Sequence, residues 1–160
     1  MTANTRTPSE LLAAYRLGAG IVREAIAGLD AETLRARPIA GKMSSLEVLC
    51  HIVDSDQFMC DRIKRAIATE RPLLMGVESA DYPVPLHYHE RDVDLDLRLL
   101  EAQREQMAAD LDRIGSEVWS RTAVHSEAGL VTVADLFAHA VEHLEDHVAR
   151  IAEKRTALGL

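Results

Sequence analysis

The sequence predicts an all-α protein: a four-helix bundle in up-down-down-up order, with a long crossover between its second and third helices. Three observations lead there. Ala and Leu recur throughout while aromatics make up only 4% of the chain, a composition that suits helix packing and lacks the Val, Tyr and Thr of a β-sandwich. Helix-start signals precede long stretches whose apolar residues recur every three or four positions. Between two of those stretches lie about twenty residues bearing Pro72, Pro83 and Pro85, more than an antiparallel hairpin needs but enough to run the length of a bundle.

The first helix starts at Thr7-Pro8-Ser9-Glu10, which joins a cap hydroxyl, a proline at the first helical position and a glutamate able to reach back. It is expected to run to about Leu29, with Leu11, Tyr15, Gly18, Val22, Ile26 and Leu29 as its inner stripe. Ser44-Ser45-Leu46-Glu47 repeats the start signal, and Val48, Leu49, Ile52, Val53, Met59, Cys60, Ile63 and Ile67 carry the second helix to about Ala68. The third spans roughly Asp92 to Trp119, where Val93, Leu97, Leu100, Met107, Leu111, Ile114 and Val118 form a seam and Arg104 takes its one charged position. The fourth begins after Thr132, a cap with Asp135 in the favourable first turn, and continues to about Lys154. The crossover makes the second and third helices parallel.

At 160 residues the chain is expected to form one domain over residues 1–160. Its formal net charge of −8 repels phosphate backbones and anionic lipid, so neither nucleic acid nor membrane is an expected partner. No apolar run approaches a membrane span, and Met1 to Pro8 lacks the apolar core of a leader, so the expected location is cytoplasmic. Cys50 and Cys60 belong to no Cys-x-x-Cys unit and read as reduced small hydrophobes inside the second helix.

His139, His143 and His147 stack along the last helix at a spacing of four, and two imidazoles so placed can grip one ion. At roughly 100° per residue, His147 falls inside the apolar arc, His143 on its edge and His139 further round towards solvent. Two histidines rarely hold an ion tightly, and His51, in the second helix, is the available third ligand. Its angular position, next to Val48 and Ser55 just outside the apolar arc, permits it to face inward without requiring it. Spacing alone leaves open the commoner fate of helical histidines, which is to be packed or hydrogen-bonded.

Two sharper templates fail on residues. In His143-Leu144-Glu145-Asp146-His147 a leucine stands where a zincin has its general base. The residues three before His51, His143 and His147 are Val48, Ala140 and Leu144, so no Glu-x-x-His pair of a di-iron bundle is present.

Three stretches together resemble the DinB/YfiT-like superfamily over nearly the whole chain. Met43 to Asp54 is similar to that family's second-helix signature, which carries a histidine eight residues after a Trp; here Met43 replaces the Trp. His125 to Thr132 resembles its polar turn into the last helix, and His139 to Ile151 resembles its closing helix with paired histidines. The resemblance implies metal ligation by His51, His143 and His147, an up-down-down-up fold that is often dimeric, and one divalent ion, zinc or nickel. It also implies a small-molecule substrate, since characterised relatives include S-transferases and isomerases that use low-molecular-weight thiols. Met43 puts any shared substrate pocket in question and leaves the ligands untouched.

The function expected is therefore that of a divalent-metal-binding protein acting as a thiol S-transferase. The alternatives are a metal-dependent hydrolase and a non-catalytic metal-binding stress or interaction protein. Three imidazoles leave a coordination position open, as a working ion needs. Arg104 is carried as a candidate cofactor- or substrate-binding residue, against the commoner outcome that it snorkels or pairs with a carboxylate. His87 and His89 read as solvated crossover, His125 as a residue that helps close the pocket. Asp54 and Glu142 have the chemistry to orient imidazoles, although exposed carboxylates on helices are commoner.

Overall fold

The computed structural model describes residues 6–160; Met1 to Thr5, part of the stretch read for a leader, lie outside the described residues. Four long helices, α1 (Pro8–Ile26), α3 (Ser45–Ala68), α4 (Val93–Arg113) and α5 (Val133–Ala157), form the bundle. A short helix α2 (Ala31–Arg35) lies between α1 and α3. Strands β1 (Leu73–Leu74), β2 (Thr122–His125) and β3 (Gly129–Thr132) form a small sheet in the order β1-β2-β3.

The start signals do what their chemistry dictates. At α1, Thr7 Oγ1 accepts from the Glu10 N–H at 3.3 Å while Glu10 Oε2 accepts from the Thr7 N–H at 2.7 Å. Ser44 with Glu47 and Thr132 with Asp135 form the same reciprocal pair, each satisfying otherwise orphaned backbone donors. Helix α1 stops at Ile26, short of Leu29, because Gly28 turns the chain left-handed at φ +76°. Helix α4 stops at Arg113 and does not run to Trp119: Ile114 is extended, Gly115 follows, and Ser116–Ser120 form a 3-10 turn. Val118 is buried from that turn, and the Trp119 ring packs edge-on against Phe137 at 5.2 Å.

Contacts between helices set their directions. Arg16 pairs with Asp112 and Arg23 with Glu101, so α4 is antiparallel to α1. Tyr15 packs on Phe137 while Arg155 donates to the Ala25 carbonyl, so α5 is parallel to α1. Cys50 lies beside Asp96 and Asp56 beside Arg104, so α3 and α4 run together. The order is up-down-down-up. The crossover packs on α3: Tyr88 is buried with its hydroxyl donating to Asp54 at 2.7 Å, and Arg91 bridges Asp54 at 2.8 Å and Asp96 at 2.6 Å.

Two apolar clusters fill the interior, one around Tyr15, Ile63, Met107 and Phe137, the other around Val22, Leu49, Ile52, Leu100 and Ile151. Arg104 and Asp56 stand where the clusters meet, only 2% and 4% exposed. Arg104 Nε and Nη2 donate to Asp56 Oδ1 at 3.0 and 2.6 Å, and its guanidinium lies 4.2 Å from the centre of the Tyr15 ring. Gly18 makes this possible, since a Cβ there would overlap Arg104 Nη1. Both cysteines are free and buried, and Tyr15 Oη contacts Cys60 Sγ at 3.2 Å.

The sheet is the part that periodicity did not show. β1 pairs parallel with β2, and β2 pairs antiparallel with β3 in a register that sets His125 opposite Gly129. Its role is positional: it ties the chain after α3 to the entrance of α5 and holds His125 near that entrance. Among the described residues no helix is long and apolar enough to cross a membrane.

Candidate metal centre

His51 comes from the second turn of α3, and His143 and His147 come from the middle of α5, the helix packed against it. Capping fixes where both helices start, and the packing of their apolar faces against the interior sets the rotation that turns the three rings together. His51 and His147 are buried at 7% and 5% exposure, and His143 is half-buried. Nε2 of His51 lies 3.3 Å from Nε2 of His143. The His147 ring centre is 4.5 Å from that of His51 and 4.3 Å from that of His143. One ring nitrogen from each residue lies within 4.8 Å of the other two.

The residues fit a divalent ion on three counts. Tetrahedral zinc with bonds of roughly 2.0–2.1 Å sets neighbouring nitrogens about 3.3–3.4 Å apart, which is the His51 to His143 separation. Nδ1 of His51 and Nδ1 of His147 are buried without a hydrogen-bond partner, so this cluster is not a closed network of hydrogen-bonded imidazoles. All three rings are held neutral, the form that ligates. Burial lowers the pKa of His143 to about 4, helped by His51 and His139, and lowers that of His147 to about 3, helped by His143 and His51. His51 moves down for the same first reason, with Arg150 adding to it and Asp54 opposing it.

The model of the family described as the DinB superfamily matches residues 14–151. This chain belongs to the DinB superfamily. A provisionally named metal-dependent hydrolase of Oceanobacillus iheyensis is 22% identical over 131 residues, 82% of this chain and 76% of that protein. Among solved structures, YfiT from Bacillus subtilis, described as a probable metal-dependent hydrolase with an unusual four-helix bundle topology, superposes with a TM-score of 0.90. It is 16% identical, covering 99% of this chain and 93% of its own. A mycothiol-dependent maleylpyruvate isomerase superposes with a TM-score of 0.70 at 13% identity, over 90% of this chain but only 60% of that protein. At these identities the superpositions establish the fold.

In this DinB-superfamily chain the other residues singled out from the sequence fall into distinct places. Arg104 lies in the interior, with every guanidinium nitrogen engaged: besides Asp56 it donates to the carbonyls of Tyr15 at 3.1 Å and Ala140 at 3.4 Å. Pairing with a carboxylate is thus the role its surroundings supply. Asp54 bonds Tyr88, Arg91 and Gln57 and so anchors the crossover; it orients no imidazole. His87 and His89 are exposed on the crossover beside Glu90. His139 is exposed, its ring 5.9 Å from that of His143. Ser55, read from the sequence only as a wheel neighbour of His51 with no role at the site, borders the centre: its hydroxyl lies 3.5 Å from His51 Nε2, as the spacing of four on one helix allows.

The lowered histidine values carry a stability prediction for the metal-free protein. Between the ordinary histidine value of 6.5 and the folded values near 4 and 3, the unfolded chain binds more protons than the folded one, so stability falls as the pH falls through that interval. Above about pH 7 both states are neutral and the effect vanishes. The denaturation midpoint of metal-free protein should therefore drop between about pH 7.5 and 5, and drop less in His147→Leu; a flat midpoint would contradict this.

Proposed function

We propose that His51, His143 and His147 hold one divalent ion, zinc or nickel, and that the protein is a metal-dependent enzyme acting on a small molecule. The observation that carries this reading is the meeting of three imidazoles from two helices at one point, one helical turn from a cavity that Arg62, His125 and His139 help to line. A divalent ion held there supplies Lewis acidity, lowering the pKa of a thiol or a water molecule drawn to its open side. The chain's own part is to fix three donors, to keep them unprotonated near neutrality by burying them, and to limit water around them. Ser55 offers a hydroxyl beside His51 to a group arriving at the centre.

Transfer from a low-molecular-weight thiol to an electrophile is the reaction we favour, and the mycothiol dependence of one structural neighbour supports it. Hydrolysis is the second reading, supported by two relatives described as metal-dependent hydrolases. Protein purified without a histidine tag and loaded with zinc or nickel should consume a thiol and an alkylating substrate together, seen as adduct by mass spectrometry. Chelation or His147→Ala should abolish adduct formation. Turnover of an ester without thiol, equally sensitive to chelation, would favour hydrolysis; activity indifferent to chelation would refute both.

A further inference from the structure

A cavity of about 360 Å³ lies one helical turn along α5 from the three histidines, walled by Met59 and Arg62 of α3, His125 of β2, Glu127 in the turn after it, and Leu136 and His139 of α5. His139, on the cavity wall, stands one helical turn before His143 with its ring 5.9 Å from that ring, so the cavity approaches the candidate metal centre from this side. Its size suits a metabolite and excludes a polymer.

Two of its walls bear donors that, among the described residues, no carboxylate meets in an ion pair or hydrogen bond. Arg62 is half-buried; Nη2 donates to the Met75 carbonyl at 2.7 Å and Nη1 lies 3.6 Å from Met59 Sδ. Glu127 and Asp61 act on it through charge, and among the described residues no carboxylate reaches it in an ion pair. A guanidinium taken partly out of water with carboxylates acting only at a distance carries a cost that an anionic ligand in direct contact reduces. His125 is oriented by the backbone: its Nδ1 accepts from the N–H groups of Glu127 at 3.2 Å and Ala128 at 3.4 Å. The neutral ring therefore carries its proton on Nε2, where it is a donor. The acids on the same walls offset this only in part, because Asp135 is committed to the α5 cap and Glu127, which acts on Arg62 through charge, is exposed to solvent.

We propose that Arg62 and His125 form an anion subsite that holds a carboxylate of the substrate while its reacting end reaches His51, His143 and His147. This deepens the reading above and rests on it for the reacting end alone. One guanidinium and one imidazole N–H match the two oxygens of a carboxylate, whereas a phosphate presents three oxygens and more charge than these donors meet.

Malonate and inorganic phosphate are the probes, titrated into metal-free full-length protein while the ring resonances of His125 and His139 are followed by NMR. Malonate should shift both saturably and bind more tightly than phosphate. Arg62→Gln should weaken malonate at least roughly tenfold, Arg62→Lys should restore part of the loss, and His147→Ala should leave binding intact. Glu127→Gln, which leaves the packing of Arg62 alone, should tighten malonate severalfold and carries the test if Arg62→Gln fails to fold. Absence of saturation, equal affinity in Arg62→Gln, or a preference for phosphate overturns the subsite. Zinc binding measured on the same samples separates the two ideas: lost malonate binding with intact zinc binding defeats the subsite alone. Malonate binding that survives in a protein unable to take zinc defeats the metal reading alone.

Discussion

Replacing Asp56 by alanine should destabilise the protein by about 3–5 kcal/mol, a large share of the roughly 5–15 kcal/mol that holds a domain folded. The reason is burial. Asp56 and Arg104 sit at 4% and 2% exposure, and Asp56 answers Arg104 twice through Oδ1 and Gln103 through Oδ2 at 2.9 Å. Removing the carboxylate leaves a guanidinium in the interior with two carbonyls and the Tyr15 ring but no counter-charge. Arg104→Met strands the carboxylate instead and should cost a similar amount. The double variant Asp56→Leu with Arg104→Met should recover most of the loss, because two apolar residues of similar volume remove both desolvation costs together. Chemical unfolding of the three variants checks this, and additive losses in the double variant would show that the pair is not coupled.

His147→Ala should lower zinc affinity by more than roughly 100-fold, since changes even to groups that only orient ligands cost 10–100-fold. His139→Ala should change it by no more than a few-fold. The two residues lie on the same helix at the same spacing from His143, yet His147 is buried against His51 while His139 is exposed, its ring 5.9 Å from that of His143. Competition against a chromophoric chelator separates the two outcomes. Equal losses would mean that the ion sits one turn nearer the α5 entrance than the meeting point of the three rings.

Much of the bundle was legible because its signals are local. Thr7 with Glu10, Ser44 with Glu47 and Thr132 with Asp135 each place a helix start to the residue. Helix ends were read less well: the chain turns left-handed at Gly28 and goes extended at Ile114, while the apolar spacing runs on past both, as in the seam that continues to Val118. The sheet escaped notice because strands of two and four residues are too short to display alternation, and β1 and β2 are far apart in the chain. Arg62 gave no sign either, since an arginine on an amphipathic helix is ordinarily solvated, and what distinguishes it is that among the described residues it is half-buried with no carboxylate in an ion pair.

By itself the sequence determined the four long helices, the direction imposed by the crossover, and which two histidines of α5 turn inward. Each of these depends on residues within a few turns of one another, where spacing is geometry. Only the tertiary structure decided that His51, left ambiguous on its own helix, faces those two, that Arg104 is answered by Asp56, and that Arg62 and His125 share a cavity. Those outcomes depend on how helices far apart in the chain rotate and settle against one another, and that is set by the packing of the whole interior and by no local pattern.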